Sequence, residues 1–208
     1  RAGYQTILSN TDWEPRAQER QLQLMREQRV DGIILKPVQD TVDGAAYENL
    51  GLPAVLLHYS GSKVVSCVDT DHDYGGYLMT RHLLDCGCRR IAFLSGPSRY
   101  KYARWRLRGY EEALRTAGIS PDQNLVVQFP EVRCELAIAS TMQLLRTAEP
   151  PDAFVTTSDV YAAAVIRAAR QVGLRVPQDV MVTGFDNIEF STVTTPSITT
   201  VDQPRIRL

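Results

Sequence analysis

The chain has 208 residues, with 23 Lys plus Arg against 24 Asp plus Glu and a formal net charge of −1, long enough for one large or two small domains with a buried core. The balanced charge excludes a free-standing nucleic-acid binder, whose affinity comes from neutralising phosphates with a basic surplus. No apolar run approaches the roughly 18 residues of a membrane span, and Arg1-Ala2-Gly3-Tyr4 has neither the apolar core nor the cleavage site of a signal peptide; the expected compartment is the cytoplasm, with no membrane partner. Short apolar runs alternate with longer helix-period runs, the pattern of parallel sheets covered by helices. Tyr4 to Leu8 reads as a first strand. A helix follows, capped by Asp12, accepting Pro15 in its first turn and running to about Gln28. Then come the strand Ile33 to Leu35, a short helix around Ala45 to Leu50, and the strands Ala54 to Leu57 and Val64 to Val68.

In the second half, Asp73 is placed to cap a helix that stops at Gly87, where glycine tolerates the left-handed conformation. The strand Ile91 to Leu94 leads through Ser95-Gly96-Pro97 into the clearest amphipathic stripe of the chain, Ala103, Leu107, Tyr110 and Leu114. After Gly118 come the strand Leu125 to Val127 and a helix with Ile138, Met142 and Leu145 on one side. The strand Ala153 to Thr156 precedes a helix capped by Ser158 or Asp159, with Ala162, Val165, Ile166 and Ala169 inward and Gly173 closing it. Val180 to Val182 and Ile198 to Val201 are the last strands. The βα pattern runs twice, with a seam near residues 88–91, so the fold class is α/β with two doubly wound parallel-sheet lobes, residues 1–89 and 90–195. In such sheets ligands bind beyond the carboxyl ends of the strands. The converging loops are 9–13, 36–40, 58–62, 95–104, 128–134, 156–160 and 183–190.

Enzyme and metal readings fail on spacing. Asp69, Asp71 and Asp73 imitate the start of a calcium loop, but Tyr74 stands where that loop needs glycine and Thr80 where it needs glutamate. His58, His72 and His82 lie at no metal-ligand spacing. There is no glycine-rich phosphate cradle, no nucleophile elbow, and no nucleophile paired with a base at a recognisable offset; the chain does not read as an enzyme, and no cofactor or metal is expected. Cys67, Cys86, Cys88 and Cys134 are irregularly spaced and read as plain thiols, since the one-residue gap between Cys86 and Cys88 matches neither a redox nor a zinc motif. Two features remain. The first is the basic cluster Arg99, Lys101, Arg104, Arg106 and Arg108; Arg106 lies beside the inward Leu107 at the ligand-side turn, where a planar fork of donors suits vicinal hydroxyls or a carboxylate. The cluster also hints at an anionic ligand. The second is Val182-Thr183-Gly184-Phe185-Asp186-Asn187, which sets a carboxylate at the edge of a sheet, an acceptor for sugar hydroxyls that could equally cap the next turn.

The C-terminal third resembles the lactose/galactose-repressor family closely. The segments that carry the resemblance are Gly173-Leu174-Arg175-Val176-Pro177-Gln178-Asp179-Val180, Gly184-Phe185-Asp186-Asn187, and Thr195-Pro196-Ser197-Ile198-Thr199-Thr200-Val201-Asp202-Gln203-Pro204. Weaker matches extend it over the chain: Arg29 to Ile34, Gly51 to Val55, Asp71 to Leu84, Arg90 to Pro97 and Ala103 to Tyr110. The resemblance implies a periplasmic-binding-protein-like (type I) fold, with residues 196–208 crossing back to the N-terminal lobe. It also implies a homodimer and a small effector, a sugar or nucleobase, held between lobes to control binding of operator DNA by an N-terminal helix-turn-helix head. By motif match, Arg106 and Asp186 are effector contacts, Asp159 and the neighbouring Ser158 sit on a contact loop, and Asp71 falls near a contact of the first lobe. Against the family pattern, the chain starts at what looks like the second strand of that lobe, ends before the usual final helix, and has Cys88 where histidine is common. A periplasmic sugar-binding protein of a transport or chemotaxis system shares this fold and is the alternative.

Overall fold

The computed structural model describes residues 3–38, 47, 51–58 and 65–203. They divide into two compact units, Arg1–Thr70 and Asp71–Leu208.

In the first unit the helix α1 (Pro15–Glu27) and the strands β1 (Ile33–Leu35), β2 (Ala54–Leu57) and β3 (Ser66–Val68) form a parallel sheet in the order β1-β2-β3 with its helix. Leu56 and Tyr47 are its buried centre, with Leu22, Leu35, Ala54, Val65 and Cys67 packed around them. Gln18, buried on α1, donates to the Tyr47 hydroxyl at 3.2 Å and accepts from Val38 N at 2.9 Å, so a polar helix residue earns burial by satisfying two partners. Two expectations change here. Tyr4 to Leu8 is not a strand: these residues pair with no strand among those described, and Tyr4 and Leu8 are exposed. Asp12 does not cap α1. It takes a left-handed turn and binds Asn10, while Glu14 occupies the cap position without a side-chain bond. Of the expected helix around Ala45 to Leu50 only Tyr47 is described; the rest lies outside the described residues.

The second unit is a five-stranded parallel sheet, β4 (Ile91–Ser95), β5 (Val126–Gln128), β6 (Ala153–Thr156), β7 (Met181–Asp186) and β8 (Thr199–Asp202), in the order β5-β4-β6-β7-β8. The helices are α2 (His72–Asp85), α3 (Lys101–Thr116), α4 (Cys134–Leu145), α5 (Asp159–Gln171) and the short α6 (Phe190–Val193). Alternation along the strands serves both faces. Ala92, Leu94, Phe154 and Val182 join α4 and α5 in one core, while Ile91, Phe93, Ala153, Val155 and Phe185 join α2 and α3 in the other. The inward set of α5 is as read from the sequence. On α4 the fully buried face is Ala137, Thr141 and Leu144, one residue ahead of the expected Ile138, Met142 and Leu145.

The cap of α2 also moves. Asp71, rather than Asp73, accepts from Tyr74 N at 2.9 Å, and Asp73 instead holds Arg108 of α3. Within the second unit, α2 packs on α3 and β7. Glycines decide this packing. A Cβ on Gly76 would land on the main chain of Arg106, and one on Gly109 on the main chain of Asp73 and Tyr77; the two helices touch backbone to backbone. Within the segment expected to cross back, Thr199–Asp202 pair as β8 with β7, Thr183 opposite Thr199 through Asp186 opposite Asp202. Among the described residues no helix is long and apolar enough to cross a membrane.

Candidate functional site

The carboxyl ends of β4, β6 and β7 and the first turns of α2, α3 and α5 meet at one edge of the second unit. Arg106 enters from the second turn of α3 and is 4% exposed. Its Nη1 donates to the Thr157 carbonyl at 2.5 Å. On its other side His72 Nδ1 lies 3.4 Å from Nε and 3.2 Å from Nη2, and Asp186 Oδ1 stands 3.7 Å from Nη2. The guanidinium carbon sits 3.3 Å from the centre of the Phe185 ring and 5.2 Å from that of Tyr102, a flat cation on aromatic faces. Burial pulls the Arg106 pKa down to about 10, with the Asp186 carboxylate opposing the shift, so the group keeps its charge at neutral pH. Five N–H donors meet three polar partners among the described residues, which leaves donor capacity at the site.

Asp186 ends β7 in a left-handed conformation, φ 104°, unusual for any residue but glycine. Its side chain is 33% exposed, and Oδ1 accepts from Gln203 Nε2 at 2.5 Å. Asn187 continues the turn at positive φ and is tied to β8 through Thr200 and Asp202. Behind the turn lies Asp159, fully buried, accepting from Ile188 N at 2.8 Å and from Thr200 Oγ1 at 2.5 Å. Burial raises its pKa, partly offset by those two bonds. Gly184 makes room: a Cβ there would fall on the Asp159 carboxylate.

The structure therefore joins Arg106 and Asp186 and puts Asp159 directly behind them, with one carboxylate oxygen taken by Ile188 N of the turn and the other by Thr200 of β8. Ser158 caps α5, accepting from Tyr161 N at 3.3 Å, and Asp71 is an exposed cap of α2. The remaining cations of the basic cluster are committed locally. Arg99 donates to Pro130 O, Arg104 to Ser98 O and Arg99 O, Arg108 pairs with Asp73, and Lys101 lies over Trp105. Sequence reasoning missed His72, Phe185 as the floor under Arg106, and the Thr157 carbonyl. Phe185 was within reach, being the aromatic of the Gly-Phe-Asp run; nothing local ties His72 to an arginine 34 positions away.

Residues 80–207 match the family model for the periplasmic binding protein-like domain. The repressor PurR of Photobacterium profundum is 34% identical over the whole of this chain and 63% of its own length. The ribose operon repressor of Halalkalibacterium halodurans is 34% identical over 97% of this chain and 59% of its own. The chain belongs to the LacI/GalR family of transcriptional regulators. It matches the effector-binding core of that family and spans less than two thirds of the length of these two relatives. Among solved structures of LacI/GalR type, that of a periplasmic binding protein/LacI transcriptional regulator from Alkaliphilus metalliredigens, complexed with D-xylulofuranose, superposes with a TM-score of 0.81. It shows 26% identity and covers 97% of this chain and 74% of the other. The LacI/GalR assignment and the parallel-sheet units agree: this is a periplasmic-binding-protein-like α/β fold with a regulatory, ligand-binding lineage.

Proposed function

We propose that this chain senses a small polyhydroxylated effector of the sugar class, gripped by Arg106 and Asp186, and that the whole protein uses this binding to control operator DNA through a helix-turn-helix head. The observation that carries the proposal is the pairing of a buried guanidinium, whose five N–H donors meet three polar partners among the described residues, with a carboxylate that is a third open. A hydroxyl both donates and accepts, so vicinal hydroxyls satisfy such a pair in both directions. The pair is charge-balanced, and the other cations of the 99–108 stretch are spent on the protein itself. Both facts favour a neutral polyol over the anion hinted at by composition. The names of two relatives, a ribose operon repressor and a complex with D-xylulofuranose, support the sugar class.

In this reading Asp159 is a positioning residue that holds the Asp186–Ile188 turn, while Ser158 and Asp71 belong to the rim. The reading is of binding without turnover, in a cytoplasmic homodimer. Control of DNA requires that the effector prefer one of two arrangements of the protein, because equal affinity for both shifts nothing. Thermal shift against D-ribose, D-xylulose, other pentoses, hexoses and disaccharides tests it. A cognate sugar at 100 times its Kd stabilises by about 2.7 kcal/mol. Arg106→Met and Asp186→Ala should each abolish that shift; a variant that responds as the wild type does would sink the assignment.

A further inference from the structure

We propose that His72 is the positioning residue of Arg106: a neutral ring, with its lone pair on Nδ1, that holds the guanidinium in the plane from which it meets a ligand. His72 is the first residue of α2 and only 2% exposed. A guanidinium carries N–H donors and no acceptor. Any hydrogen bond between these two groups therefore has one direction, with Arg106 donating and Nδ1 accepting at 3.2–3.4 Å. That direction excludes a proton on Nδ1, whether in the imidazolium or in the other neutral tautomer, and places the ring proton on Nε2.

The ring itself is held. Its centroid lies 5.9 Å from that of Trp105, 6.2 Å from Tyr102 and 6.0 Å from Phe185. Phe185 is also the floor beneath the guanidinium, so the donor and its acceptor share one aromatic support. Nη1 is fixed by the Thr157 carbonyl, and the Nε side by His72; two anchors on opposite edges define the plane of a rigid group. The backbone contact at Gly76, one turn along α2, brings the helices near enough for these side chains to meet. Thr157 contributes main chain, which no substitution removes. His72 is thus the anchor whose loss should turn Arg106 away while leaving Asp186, the acceptor beside it, in place.

The inference rests on reading Arg106 as an effector contact, but its test observes Arg106 without an effector. The full 15N-labelled chain is compared with His72→Asn, His72→Phe and Arg106→Met, with folding of each checked by thermal melting. The Arg106 Nε–H resonance, identified by its loss in Arg106→Met, should exchange slowly with water in the wild type. It should stay protected in His72→Asn, whose amide oxygen accepts. In His72→Phe exchange should quicken on the order of tenfold, the size of one lost hydrogen bond. The His72 Nδ1 should resonate as an unprotonated nitrogen and move in Arg106→Met, while His82, exposed at the end of α2, holds. A protonated Nδ1 in the wild type, or equal Nε–H protection in His72→Phe, overturns the proposal. If His72→Phe fails to fold, the Nδ1 response to Arg106→Met decides alone. A chain with these signatures that binds no sugar would refute the effector reading and leave the positioning role standing.

Discussion

Replacing Gly109 by alanine should destabilise the second unit, although alanine is the better helix former. The helix-propensity gain is about 1 kcal/mol in favour of alanine. Against it, the new methyl would lie on the Asp73 carbonyl and against Tyr77 N. These are main-chain atoms of α2 with no rotamer to retreat into, so the helices must separate. Overpacking of this kind costs about 1–3 kcal/mol and sometimes more. At the upper end, with the propensity gain subtracted, the net loss is about 2 kcal/mol, which lowers the melting temperature by roughly 4–8 °C at this chain length. Reversible urea or thermal unfolding followed by circular dichroism reads it directly. Gly118→Ala is the control: nothing lies within 4 Å of its Cβ, and only its positive φ opposes the change. Gly76→Ala presses on the main chain of Arg106 and should combine with Gly109→Ala sub-additively, because both push the same two helices apart. A Gly109→Ala protein as stable as the wild type would show that the α2–α3 distance is not set by backbone contact.

Three further outcomes are expected. Cys86 is exposed, whereas Cys88 is buried against Met181 with its pKa raised by burial to about 11. Iodoacetamide followed by mass spectrometry should therefore modify Cys86 in the folded chain and Cys88 only on unfolding, and equal rates would contradict the packing. Asp179 is held down to about 2 by hydrogen bonds from Arg175. A depressed carboxylate stabilises above its ordinary value of 3.8 and loses that contribution as the pH falls toward 2. Arg175→Met should thus begin acid unfolding at a higher pH than the wild type. Asp159→Ala should cost about 1–3 kcal/mol by leaving the Ile188 N–H without its partner, and Asp159→Asn, which keeps an acceptor, much less. Because burial raises the Asp159 pKa above 3.8, its contribution falls as the pH climbs through that range. The Asn variant should gain on the wild type there in urea titrations at stepped pH.

The parallel α/β class, the strands Ile33–Leu35 and Ala54–Leu57, and the inward face of α5 follow from local periodicity, as do the stops at Gly87, Gly118 and Gly173, all with positive φ. These are properties of neighbours in sequence, set by the period of the backbone and by the steric cost of a Cβ at positive φ. Arg106 and Asp186 stood out because a fork of donors and a strand-end carboxylate suit a polar ligand and because the resemblance to the lactose/galactose-repressor family sets contacts there; the residues alone left open that Asp186 caps the next turn. Which aspartate would cap α2 was not legible: Asp71 and Asp73 are equivalent in sequence, and only the packing of α3 brings Arg108 to Asp73.

What the chain alone determined was its periods, its breaks and a short roster of polar side chains at the strand ends. What the tertiary structure decided was who meets whom. Helices α2 and α3 lie backbone to backbone because Gly76 and Gly109 carry no Cβ. Asp159 turns inward because Gly184 leaves it space and Ile188 and Thr200 supply its donors. Arg106 found His72 34 positions away. Short-range preferences act through torsion angles and are written locally, whereas burial, desolvation and hydrogen-bond direction depend on distances that exist only once the sheet and its helices have assembled.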